Sequence, residues 1–254
     1  MLKILTWSGR HISLSILLLL IIGMALRITY REMLDRLERD EIIYIQLTEI
    51  ASAANGNASE RYLPLLIHVG VMLNKIGINV ESGLRCFNFF CSFLWLVCMY
   101  LLGQAVFNSS KAGLLCLALV VFNPYTIRLA GQIMREPLYL LFFTGVMLCA
   151  VKIVRGTNII SCSTVAGILT IGGAWSRFEG CELLFIIPLG CCFHYVWAKR
   201  STRLPQRRQL VFGIICYLLV LGVAGTALLI YQPRLVVRWQ QKFNINYNKI
   251  FPVR

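Results

Sequence analysis

Three short stretches of this chain bring together the side-chain types that acid–base and phosphate chemistry require. The first is Arg39-Asp40-Glu41, with Tyr44 four residues after Asp40. The second is Arg135-Glu136-Pro137-Leu138-Tyr139, and the third is Ser176-Arg177-Phe178-Glu179-Gly180 with Glu182 just beyond. A carboxylate beside a hydroxyl can take its proton, and a guanidinium can grip a phosphate with two parallel N–H donors. Moving a group from a phosphate to a hydroxyl needs both, a base near the acceptor and positive charge near the departing oxyanion. Plainer roles stand beside these. Arginines at span ends anchor to headgroups, Arg177 has Glu179 and Glu182 within reach, and Asp40 has Arg36 and Arg39 for a surface pair.

Other chemistries find less material. His11, His68 and His194 are far apart in sequence, and no His/Cys spacing resembles a zinc site. Most of the ten cysteines fall inside apolar runs and none form C-x-x-C, so they read as small buried hydrophobes. No glycine loop is built to cradle phosphates, which leaves a nucleotide-sugar donor or ATP without an evident site.

The elements that must position the three stretches are membrane spans. The chain has 254 residues, 58% of them hydrophobic, against roughly 45–50% in soluble domains. A bilayer core takes about 20 apolar residues per helix, so most of the chain is committed to crossing and is read as one all-α membrane domain. Candidate spans cover about 12–28, 85–103, 112–127, 137–154, 161–175, 180–197 and 210–230, seven in all. The first follows Lys3 and Arg10 and lacks a small-x-small cleavage site, so it reads as an uncleaved anchor. Gly172-Gly173 in the fifth span permits close helix packing. The net charge of +14 lies between apolar runs rather than along a soluble face interleaved with aromatics, which argues against nucleic acid.

Loop charge sets the expected orientation. With the N-terminus inside, the inner segments hold Lys3, Arg10, Lys111, Lys152, Arg155 and the run from Lys199 to Arg208, and no acid. Every Asp and Glu then falls outside, and so does the tail from 231 to 254. The segment from Leu63 to Ile78 is apolar, with Pro64 near a helix start and Gly77 near its end, but short and interrupted by His68, Asn74 and Lys75. Counting it as a span would put the Lys199–Arg208 run outside, so it is expected to lie in the outer interface. The outer loop 31–84 is therefore the extended non-spanning region. Asp40 and Tyr44 share one side of a helix continuing through Leu47 and Ala51, which sets a carboxylate just above the membrane surface.

The order of these features resembles the glycosyltransferase C superfamily. The likeness rests on an N-terminal span, the acidic pair in Arg39-Asp40-Glu41-x-x-Tyr44, an interfacial helix beginning Tyr62-Leu63-Pro64-Leu65-Leu66, and Arg85 with Tyr100-Leu101-Leu102-Gly103. Arg135-Glu136-Pro137-Leu138-Tyr139 is similar to the Glu-Pro-Leu-Tyr that opens a span in many members, and Ser176 to Gly180 resembles their Thr-Arg-x-Glu-Gly. Phe178 stands where proline is common. The likeness covers roughly residues 12–230 and is nearest in pattern to protein O-mannosyltransferases and aminoarabinose transferases.

What the resemblance implies is a sugar transferase that draws on a polyprenyl-phosphate donor and serves a lipid, glycan or protein acceptor outside a bacterial inner membrane. By that analogy Asp40 is the general base, and Glu41 orients the acceptor or holds a divalent metal ion. Arg135 and Arg177 hold the donor phosphate, with Tyr44, Glu136 and Glu179 in support, and one displacement inverts the sugar. The competing expectation is a transporter or channel component whose polar path is lined by Arg135, Arg177 and Glu179, although transporters of that kind often show internal repeats and midplane ionisable groups, which this sequence lacks.

Overall fold

In a computed structural model, the described residues are 2–34, 36–53, 64–197 and 204–231. They form α-helices and one short 3-10 turn, with no strand among them. Ten helices follow in chain order: α1 (Leu2–Glu32), α2 (Arg39–Ala53), α3 (Leu65–Lys75), α4 (Val80–Phe107), α5 (Ser110–Val121), α6 (Pro124–Gly131), α7 (Glu136–Val154), α8 (Ile159–Ser176), α9 (Leu183–Trp197) and α10 (Leu204–Tyr231). The 3-10 turn Phe178–Glu182 joins α8 to α9.

Among the described residues four segments are long and apolar enough to cross a membrane: His11–Glu32, Val80–Phe107, Glu136–Val154 and Ile159–Ser176. A fifth is added if α5 and α6 count as one bent crossing. Their outward faces are apolar, with Leu14, Leu17, Ile21, Phe90, Leu119 and Ile168 all exposed. A surface so lined is solvated by lipid, and the protein is an integral membrane protein.

The count of seven uninterrupted spans is not what these helices show. The expected third span breaks at Asn123–Pro124, where α5 and α6 diverge by 65°. Phe122 ends α5, the Asn123 side chain accepts the Tyr125 N–H at 2.9 Å, and Pro124 opens α6 with no N–H of its own to place. An Asn cap followed by proline starts a new helix rather than continuing an old one. The Thr126 hydroxyl then donates to the Val120 and Asn123 carbonyls across the bend, at 2.7 and 2.9 Å. The expected sixth span also starts late, because its first turn is the 3-10 turn and α9 has 15 residues with Pro188 inside.

The short helix expected between Pro64 and Gly77 is present. α3 spans 11 residues, too few to cross, and ends as its sequence demands. Gly77 takes φ +86°, donating to the Asn74 carbonyl while Ile78 donates to that of Leu73. That pairing of a left-handed glycine with two backward bonds satisfies the last carbonyls of the helix. Asn79 then caps α4 by accepting the Ser82 N–H at 3.2 Å.

The bundle has two chemically different ends. At one end Gln104 donates to Ser110, and Arg155 donates to the Val106 carbonyl, which brings the α4–α5 and α7–α8 junctions together. The opposite end gathers the last turn of α1, helices α2 and α3, the start of α4, the α6–α7 link and the turn after α8. The ion pairs Arg31–Glu41, Arg85–Glu81, Arg128–Glu38 and Arg177–Glu136 all belong to this acidic end. An apolar knot of Leu66, Val80, Leu84 and Ile133, with Tyr44, Ile45 and Phe87 against it, holds these segments to one another. A second core of Val146, Ile153, Ala166, Leu183, Ile187 and Tyr217 joins α7, α8, α9 and α10. The tail from 232 on, most of the Lys199–Arg208 run and the start of the motif at Tyr62-Leu63 lie outside the described residues.

Candidate functional site at the acidic end

Tyr44 lies where the three stretches meet. It is half-buried on α2, one turn after Asp40, and the Arg135 guanidinium stands over its ring at 5.9 Å. Burial pushes its phenol up from the ordinary value. Glu136 and Asp40 push the same way and Arg135 and Arg177 oppose them, so all four charges are near enough to act on one hydroxyl. Residues 40, 44, 135, 136 and 177, more than 130 positions apart at the extremes, therefore share one locale.

Asp40 itself is exposed in the first turn of α2 and forms no hydrogen bond or ion pair with any described residue. The surface pairs open to it in sequence, with Arg36 or Arg39, are not made. A carboxylate without a partner among the described residues is open to a hydrogen bond from an acceptor hydroxyl.

Glu41 departs from its expected role. It is fully buried, and both carboxylate oxygens are taken. Oε1 accepts the Ile133 N–H at 3.0 Å, while Oε2 accepts the Glu38 N–H at 2.9 Å and Arg31 Nη1 at 3.4 Å. A carboxylate enclosed in this way does not reach an acceptor. Sequence pattern misses this because three donors, one of them 92 residues away, decide it. Among the described residues no three of His, Cys, Asp and Glu are grouped to hold a metal ion.

The two arginines differ. Arg177 sits at the end of α8 and is saturated with carboxylate: Nη1 donates to Glu136 at 2.9 Å and Nε to Glu179 at 3.3 Å. Its guanidinium also lies over the Tyr139 ring at 5.7 Å, and the Tyr139 hydroxyl donates to Glu182. Arg135 caps α7 and has no carboxylate within salt-bridge distance among the described residues. Its Nε is buried without a hydrogen-bond partner. A charged donor left unmatched by the chain is set up for an anion from elsewhere. Arg128 behaves as an anchor, paired with Glu38 at 3.2 Å.

Three contributors were not legible as site residues. Tyr139 was part of the second motif but carried no role, although its place one turn after Glu136 puts both on the Arg177 side of α7. His68 packs edge-on against Trp175, ring centres 5.0 Å apart, so that α3 covers the end of α8 just before Arg177. Gly180 packs so closely on the Gly173 carbonyl that a Cβ there would collide with it, which keeps the Arg177 turn tight. Comparison with known families, proteins and solved structures finds no match for this chain.

Proposed function

We propose that this protein is a membrane glycosyltransferase that moves a sugar from a polyprenyl-phosphate donor to an acceptor hydroxyl at the acidic end of the bundle. One observation supports this reading above the rest: Asp40, a carboxylate with no partner among the described residues, stands one helical turn before Tyr44, and Arg135, with no carboxylate partner among them either, stands over the Tyr44 ring at 5.9 Å. Asp40 takes the proton of the acceptor hydroxyl as its oxygen attacks the anomeric carbon. The bond from that carbon to the phosphate oxygen breaks, and the electron pair leaves on the phosphate. Arg135 receives the developing charge, with Arg177 beside it, and a single displacement inverts the sugar.

The proposal extends to topology. The α5–α6 pair, α9 and α10 complete seven crossings with α1, α4, α7 and α8, the acidic end faces outward and the N-terminus inward, as the absence of acids from the opposite loops favours. Cell-envelope lipids, glycans and proteins are the acceptors within reach of that face of a bacterial inner membrane.

The test is transfer of labelled sugar from a panel of polyprenyl-phosphate sugars, in membranes holding the wild type or Asp40→Asn at equal level. Loss of a general base is expected to slow transfer by about 10²–10⁴-fold. Because Asp40 is exposed and unpaired, yield and thermal stability stay level. Transfer that survives in the variant removes Asp40 from the mechanism. Accumulation of a solute in sealed vesicles without transfer by the wild type would favour a transporter instead.

A further inference from the structure

We infer that Glu41 is a positioning residue, a buried latch that sets the spacing between Asp40 and Arg135. This rests on the transferase reading for its catalytic meaning, but the latch itself is a matter of geometry. Glu41 directly follows Asp40, and the N–H that its Oε1 accepts belongs to Ile133, two residues before Arg135. One side chain therefore ties the backbone beside the base to the backbone beside the phosphate donor. Its second oxygen fixes the other coordinates. Through the Glu38 N–H it closes the entry into α2, and through Arg31 it fastens that entry to the end of α1. The Asn88 side chain, donating to the Gln132 carbonyl, holds the same link from α4.

A carboxylate suits this place for a specific reason. The three groups around it, two backbone N–H donors and a guanidinium, are all donors, and a carboxylate has two oxygens and no proton to offer. A carboxamide of the same shape supplies one acceptor and turns an N–H toward one of those donors. The one oxygen stays on the side with two donors, Arg31 and Glu38, so the Ile133 bond must open, and the base moves relative to Arg135. Displacement of about 1 Å between reacting groups costs on the order of 10²-fold in rate. The groups that bind the donor are chemically unchanged, so the loss falls on turnover rather than on donor affinity.

The experiment uses the full chain in nanodiscs, as wild type, Glu41→Gln and Glu41→Asp. Two readouts are taken: hydrogen exchange over the 129–136 backbone, and kcat and KM with the polyprenyl-phosphate sugar that the wild type uses. Expected for Glu41→Gln is faster exchange at the Ile133 amide by tenfold or more, with kcat down about 10²-fold and KM within threefold. Glu41→Asp, which keeps the charge and the acceptors on a shorter arm, recovers part of both. Unchanged exchange at Ile133 overturns the latch, and so does a rise in KM at constant kcat, which would place Glu41 on the substrate. A wild type that transfers from no donor overturns the transferase reading. The exchange readout then decides the latch alone, protection lost in Glu41→Gln sustaining it and protection kept refuting it.

Discussion

Replacing Arg135 and Arg177 in turn by glutamine should separate a catalytic arginine from one that also holds the fold. Among the described residues Arg135 has no carboxylate partner, and its Nε is buried without an acceptor. Truncation to glutamine loses the contact with the Tyr44 ring, about 0.5–1 kcal/mol for a partly exposed cation over an aromatic face. It also removes an unsatisfied buried donor, whose burial costs about 1–3 kcal/mol. The glutamine carboxamide carries its own polar atoms to the same place and recovers only part of that cost, so the two nearly cancel and Arg135→Gln is expected to leave thermal stability level. Arg177→Gln gives up the 2.9 Å bond to Glu136, where both side chains are about a quarter exposed, and leaves that carboxylate uncompensated. A charge-assisted bond of this kind is worth about 1.5–3 kcal/mol before solvent screening, and the half-exposed Glu179 pair adds little. After discounting for exposure, a loss on the order of 1 kcal/mol and a few degrees in midpoint follows. Both variants should lose transfer by about 10²–10³-fold, as when one donor to a developing oxyanion is deleted. The assays are fluorescence-detected thermal unfolding of the purified protein and transfer from the polyprenyl-phosphate sugar. An Arg135→Gln protein as destabilised as Arg177→Gln, or one that keeps its rate, would show that the missing carboxylate partner does not mark Arg135 for substrate.

Three further outcomes are expected. Gly180→Ala drives a methyl into the Gly173 carbonyl and should lower both midpoint and transfer, whereas Gly190→Ala, with open space around it, should do neither. Arg27 is fully buried in α1 and, among the described residues, donates to the Ser92 hydroxyl and the Gly23 carbonyl at 2.8 Å each. Arg27→Met, apolar and of similar length, should unfold no earlier than the wild type by thermal scan, while Arg27→Ala opens a cavity and should unfold sooner. Burial pushes the His68 imidazole down from its ordinary 6.5. The unfolded chain then binds the proton more readily, so this contribution to stability is fully present above about pH 6.5 and fades as pH falls below it. Midpoints measured from pH 5 to 8 should show that decline in the wild type and lose it in His68→Phe.

Much of the scaffold was legible because membrane spans are written in long apolar runs. Residues 85–103, 137–154 and 161–175 fall inside α4, α7 and α8, and Pro64 and Gly77 bracketed α3. The break in the third span was also written locally, in Asn123-Pro124, but averaging hydropathy across the dipeptide hides it. The site was legible in kind and not in arrangement. Types and order marked Asp40, Tyr44, Arg135, Glu136, Arg177 and Glu179, yet nothing in Asp40-Glu41 told which carboxylate would be exposed and which enclosed. Helical phase near α2's start and a distant backbone N–H settled that, and both belong to tertiary packing. The same holds for the arginines, since only packing revealed that Glu136 turns toward Arg177 and away from its neighbour Arg135.

The Glu41–Ile133 bond also bears on how the protein is made. Its two ends are 92 residues apart, so the carboxylate has been synthesised for about 5–20 s before its partner leaves the ribosome. The next joint, Arg177 to Glu136, waits for the 44 residues from Ile133 to Arg177. Through that interval the segment that carries Glu41 waits while the helices that complete the acidic end are still being made. The acidic end is therefore completed only once Arg177 has been made, and chains halted before α8 would carry α1 to α7 without the Arg177–Glu136 joint.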